Sequence, residues 1–107
     1  ATTTNSPLIG TWAEIGGTGA ARIERCAADP DQLCATGLAR RADGKPGFVD
    51  DGLVLAGITV AGKGWKGTYL DGNRKLPAEL KLEAPDRVRM KVCLLFMCQA
   101  ARYARVY

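Results

Sequence analysis

The run R-V-R-M-K-V-C-L-L-F-M-C-Q-A-A-R-Y-A-R-V, residues 87–106, reads as two β-strands joined by a tight loop. Side chains alternate between the two faces of a strand. Val88, Met90, Val92 and Leu94 therefore point one way, and Arg87, Arg89, Lys91 and Cys93 the other. One face is apolar and one is basic, as in a sheet with one side on a core and the other in water. Cys93 and Cys98 bracket the loop.

The same alternation continues upstream. Leu76, Ala78, Leu80 and Leu82 alternate with Lys75, Pro77, Glu79 and Lys81, and Ala84-Pro85-Asp86 supplies the turn. Pro77 cannot donate to a ladder, so it is expected near a strand start or a bulge. Further strands are expected at Gly10–Ile15, Ala20–Cys26, Leu33–Arg40, Gly52–Val60 and Trp65–Leu70. Gly16–Gly19, Ala27–Gln32, Ala61–Gly64 and Asp71-Gly72-Asn73 separate them as turns. The stretch 41–51, rich in Gly, Asp and Lys, is expected to be the longest irregular segment. Short strands at even spacing, with no helical period, predict an all-β fold. The expectation is an eight-stranded antiparallel up-and-down barrel with two disulfides. Closure removes the edges that invite aggregation. An eight-stranded barrel is just wide enough to be filled by side chains or to hold one small ligand.

The chain has 107 residues, 47% apolar and 24% charged, which is one globular domain's worth. Residues 8–107 are expected to form the barrel and residues 1–7 a flexible N-terminal tail. No apolar run is long enough to span a bilayer as a helix. The net charge of +4 is basic but falls short of a nucleic-acid-binding tail.

Four cysteines in so short a chain point to an oxidising compartment. They allow three pairings. The local one, Cys26–Cys34 and Cys93–Cys98, is preferred because each pair spans a predicted turn. A zinc site is disfavoured, since the cysteine spacing is too wide and there is no histidine. The small polar start, Ala1-Thr2-Thr3-Thr4-Asn5-Ser6, fits the mature end of an exported protein whose signal peptide has been removed.

Gly10-Thr11-Trp12, with an arginine in the last strand (Arg102 or Arg105), resembles the lipocalin-type barrel. There a C-terminal arginine covers the tryptophan of a G-x-W motif and closes one end. A likeness spanning almost the whole chain is carried by several motifs in order. They are I-E-R-C (23–26), L-C (33–34), G-W-K-G (64–67), L-x-A-x-L-x-L (76–82), V-x-M-K-V-C-L (88–94) and a final R-V (105–106). This order resembles a small secreted bacterial lipocalin-like family of unknown function. The chain departs from it in a short middle loop and at Val92, where the family carries glycine. The resemblance implies a barrel and export, structural roles for Trp12 and for Arg102 or Arg105, and no activity.

Catalysis is not expected. There is no histidine, Ser6 is the sole serine, and the cysteines are expected to be oxidised. Nucleophile–base schemes therefore lack their parts. Asp50-Asp51 reads as a solvated turn rather than a working carboxylate pair. No cofactor or metal is implied.

The inward set is expected to comprise Trp12, Ile23, Leu53, Leu55, Leu76, Leu80, Val88, Met90 and Val92. Small residues at Ala35, Gly37 and Ala39 leave room among them. The candidate ligand-binding residues are Arg25, Ala35, Gly37, Trp65, Tyr69 and Met90, with Arg25 at the mouth. An apolar tube with an arginine at its entrance suits a fatty acid or similar amphiphile. The alternative is a protein-binding or inhibitor module. It would act through its loops, its tail, or the basic outer face of Lys81, Arg87, Arg89, Lys91 and Arg102, which could also meet an anionic envelope component.

Overall fold

The computed structural model describes residues 6–17, 19–40, 48–94 and 96–106. Residues 1–5 of the expected tail, Thr18 in the first turn, residues 41–47 of the expected irregular stretch and Leu95 at the hairpin tip lie outside that set. The strands are β1 (Gly10–Glu14), β2 (Ala20–Arg25), β3 (Leu33–Arg40), β4 (Phe48–Ala61), β5 (Gly64–Asp71), β6 (Arg74–Ala84), β7 (Arg87–Leu94) and β8 (Met97–Arg105). Each pairs antiparallel with its sequence neighbour, and β1 pairs with β8, closing the barrel. Val106 N–H donates to the Thr11 carbonyl and Ile15 N–H to the Arg102 carbonyl across that seam, both at 2.8 Å.

The alternation read from residues 87–106 sets the geometry of the last strands. Leu80, Met90 and Ala101 lie side by side across β6, β7 and β8, as do Lys81, Arg89 and Arg102. Opposed residues share a face, so the first row lies inside and the second outside. Pro77 sits opposite Thr68, while the ladder with β7 begins at Ala78, so the proline lies just outside that ladder.

β4 departs from expectation at both ends of its first half. It begins at Phe48, so Asp50 and Asp51 belong to a strand and not to a turn. There Arg22 reaches Asp50 at 3.0 Å. That neighbouring carboxylate raises the Arg22 pKa, so the guanidinium stays charged. The pairing of β3 with β4 then shifts register repeatedly between Leu33 and Leu38, and Gly52 takes a φ of +92°. A bulge inserts residues and breaks strict alternation. Leu53 therefore faces outward opposite Thr36 and is 45% exposed, contrary to the inward position expected for it. Val54 turns inward instead, against Gly37.

The core is built from Leu8, Trp12, Ile23, Leu33, Ala35, Leu55, Ile58, Ala78, Leu80 and Val88. It fills one end of the barrel. Cys26 and Cys34 are bridged there, and Cys93 is bridged to Cys98 on the outer face of the β7–β8 hairpin. Both bridges follow the local pairing, and paired cysteines of this kind belong to an oxidising environment. Among the described residues no helix is long and apolar enough to cross a membrane.

Candidate functional site: a stacked cavity inside the barrel

One end of the barrel is sealed. Trp12 is 1% exposed, and its indole N–H donates to the Leu8 carbonyl at 2.8 Å. The Arg105 guanidinium lies 4.4 Å from the Trp12 ring centre, within cation–π range. Arg105 also donates to the Ile9 carbonyl at 2.9 Å and to the Pro7 carbonyl. This network ties Pro7 down, although it was expected in the tail, and Ser6 Oγ accepts from Leu8 N–H. The arginine of the seal is thus Arg105. Arg102 points outward to Glu83 at 2.8 Å and takes no part in it.

The other end is open. An inner chamber of about 150 Å3 lies above the seal, with Trp12, Ile23, Ala35, Val54, Leu80 and Val88 in its wall. An outer funnel of about 530 Å3 adjoins the chamber at this end, with Glu14, Leu76, Val92, Gln99 and the Asp71–Arg74 pair in its wall, and the chamber itself extends to Gly19 and Ala20 by the β1–β2 turn. Tyr69, Met90 and Tyr103 line both spaces and so stand where they meet.

The geometry brings together four of the six candidate ligand residues. Ala35, Gly37, Tyr69 and Met90 line the chamber. Ala35 leaves space, whereas Gly37 makes way for a neighbour, since a Cβ there would lie 3.1 Å from Val54 Cγ1. Small residues on β3 therefore do both jobs. Trp65 lies on the inward row beside Leu80 but packs against the core and lines neither space. Its indole N–H is buried without a partner. Arg25 is exposed and lines an outer hollow with Glu24, Cys26 and Leu53. It is not at the mouth, because β2 reaches the sealed end at that residue.

Two residues that matter most at the mouth were absent from the sequence-based set. Tyr103 and Glu14 are directly opposite each other across the β1–β8 seam. Burial is the main cause that raises the Tyr103 pKa above its usual 10.0, and the negative charge of Glu14 adds to it. The phenol is therefore a neutral donor at physiological pH. The signal was present, since alternation from Trp12 places Glu14 on the same inward face.

Outside the barrel, Lys81, Arg87, Arg89, Lys91 and Arg102 do share one face. Three are matched by acids, Arg87 by Asp86 at 2.9 Å, Lys91 by Glu79 at 3.3 Å and Arg102 by Glu83. The face is mixed in charge, not a uniform basic patch. The β7–β8 tip is apolar and open to solvent, with Phe96 98% and Met97 71% exposed. No family model matches this chain, and no curated protein or solved structure matches it.

Proposed function

We propose that the chain is an exported, lipocalin-like binding protein of the bacterial envelope, periplasmic or secreted, which takes a compact apolar or amphiphilic ligand into its barrel and catalyses no reaction. The observation that carries this reading is the stacked cavity. An apolar cavity of roughly 150 Å3 holds a benzene-sized group. The funnel above it falls within the size range of small-molecule sites, about 300–1,000 Å3. The supporting chemistry is negative as well, because the chain lacks the histidine and the buried serine that a nucleophile scheme needs.

Titration calorimetry with octanol tests the reading. Wild-type protein is expected to bind it. Ala35→Leu puts three more carbons into the chamber and displaces about two methylenes of ligand, at about 0.8 kcal/mol each. Affinity is expected to fall about tenfold or more. Equal octanol binding by both proteins would place the ligand elsewhere.

The exposed β7–β8 tip favours a second reading, a protein-binding module that docks through an apolar finger held by Cys93–Cys98. Capture of a defined envelope partner by wild-type protein, lost with Phe96→Ser, supports this reading. Undiminished capture by the variant removes the tip from it.

A further inference from the structure

The charges around the funnel do not suit a fatty acid. Arg25, the arginine expected at the entrance, lies on the outer surface. Arg74 does line the funnel, but Asp71 meets it at 2.5 Å, so that pair is neutral as a whole. Glu14 is the remaining charged residue among the described residues that line the funnel. It is half-buried, and among the described residues it has no ion-pair partner. Its carboxylate lies over the β1–β2 turn, where a Cβ on Gly17 would fall 2.5 Å from Oε1. Absence of a side chain at Gly17 leaves the carboxylate its place.

Two aromatic rings accompany this acid. Tyr103 is its direct neighbour across the seam, and Tyr69 stands at the same level on β5, where funnel and chamber meet. A carboxylate beside aromatic faces is a combination that favours an ammonium group, through charge attraction and cation–π contact. Below that level the chamber is apolar and compact.

We propose that the barrel selects amphiphilic cations, with a compact apolar group in the chamber and an ammonium group held in the funnel by Glu14, Tyr69 and Tyr103. The inference rests on the ligand-binding reading above and adds the sign of the head-group charge. A neutral or anionic amphiphile of the same chain length forgoes the contact to Glu14, and an anionic one is repelled by it.

Octylammonium, octanol and octanoate carry the same chain and differ in head-group charge. Calorimetric titration of the full chain at neutral pH is expected to rank them in that order. Octylammonium should bind about tenfold more tightly than octanol, which corresponds to about 1.4 kcal/mol. Glu14→Gln should bring octylammonium down to the level of octanol, and Glu14→Lys should make octanoate the best of the three. Thermal melts of both variants establish that they are folded. Equal binding of all three compounds by wild-type protein, or a preference that survives Glu14→Gln, would overturn the charge assignment while leaving the ligand-binding reading intact. Failure of all three to bind would overturn both.

Discussion

Trp12→Ala is expected to lower the unfolding free energy by about 3–5 kcal/mol, the usual cost of removing a large buried aromatic. Several losses coincide at this position. The ring is almost wholly buried, and its removal leaves a void next to Leu8 and Val88. The Leu8 carbonyl, which accepts the indole N–H at 2.8 Å, loses its partner in a buried place. Arg105 loses the ring 4.4 Å away. For a domain of this size, 1 kcal/mol moves the melting midpoint by about 4–8 °C, so a fall on the order of 20 °C is expected. Many domains have only about 5–15 kcal/mol to lose, so much of the population is unfolded at moderate temperature.

The two C-terminal arginines separate the seal from the surface. Arg105→Ala removes two hydrogen bonds from a charged donor as well as the ring contact, and is expected to cost about 2–3 kcal/mol. Arg102→Ala removes an exposed ion pair with Glu83 and is expected to cost less than about 1 kcal/mol. Thermal or urea unfolding of the three variants measures the series. Equal effects of the two arginine variants would show that the seal is not the source of stability.

The second large effect concerns the bridges. Cys26–Cys34 closes a sequence separation of 8 and Cys93–Cys98 one of 5. On the chain-entropy model each short loop contributes about 2–3 kcal/mol by constraining the unfolded chain. The Cys26–Cys34 bridge is expected to matter more. Its loop is longer, and Cys26 is itself buried, so alanine there also leaves unfilled space. Cys93 and Cys98 already face each other across the β7–β8 ladder, which holds them together when the bridge is absent. Urea unfolding of the Cys26→Ala/Cys34→Ala and Cys93→Ala/Cys98→Ala proteins reads both values. The first should show the larger drop in midpoint, with a total near 5 kcal/mol for removal of both bridges. The reverse order would assign the main constraint to the hairpin tip.

The alternation of residues 88–94 carried the fold because the same period of two runs upstream through Leu76–Leu82, and the register between β6 and β7 shifts only past Leu82. One buried face repeated along neighbouring strands leaves little choice but a closed or stacked sheet. The local cysteine pairing followed from the same turns. Leu53 was misplaced for a physical reason. Alternation is a rule for regular strands, and the bulge that begins at Gly52 is marked in the sequence by a single glycine. The early start of β4 was hidden by Asp50 and Asp51, which are typical of turns but here pair or lie outward on a strand.

The site was legible only in part. Ala35, Gly37, Tyr69 and Met90 could be assigned to the inside by parity. Parity alone did not place Arg25, because it cannot tell which end of a barrel a strand terminus reaches. Parity from Trp12 reaches Glu14 as well, but its juxtaposition with Tyr103 required the closing pair β1–β8, which exists only after the chain has come full circle. Cavity volume is likewise a property of all eight strands together and of no single stretch.

The most direct test of a ligand-binding barrel is methyl-resolved NMR of the labelled protein during titration with octylammonium and octanol. Saturable shifts are expected, concentrated at Val54, Leu55, Leu80, Val88 and Met90, whose side chains line the chamber. Methyl signals that stay unmoved at saturating ligand, or shifts confined to Val49 and Val60 on the outer surface, would contradict it.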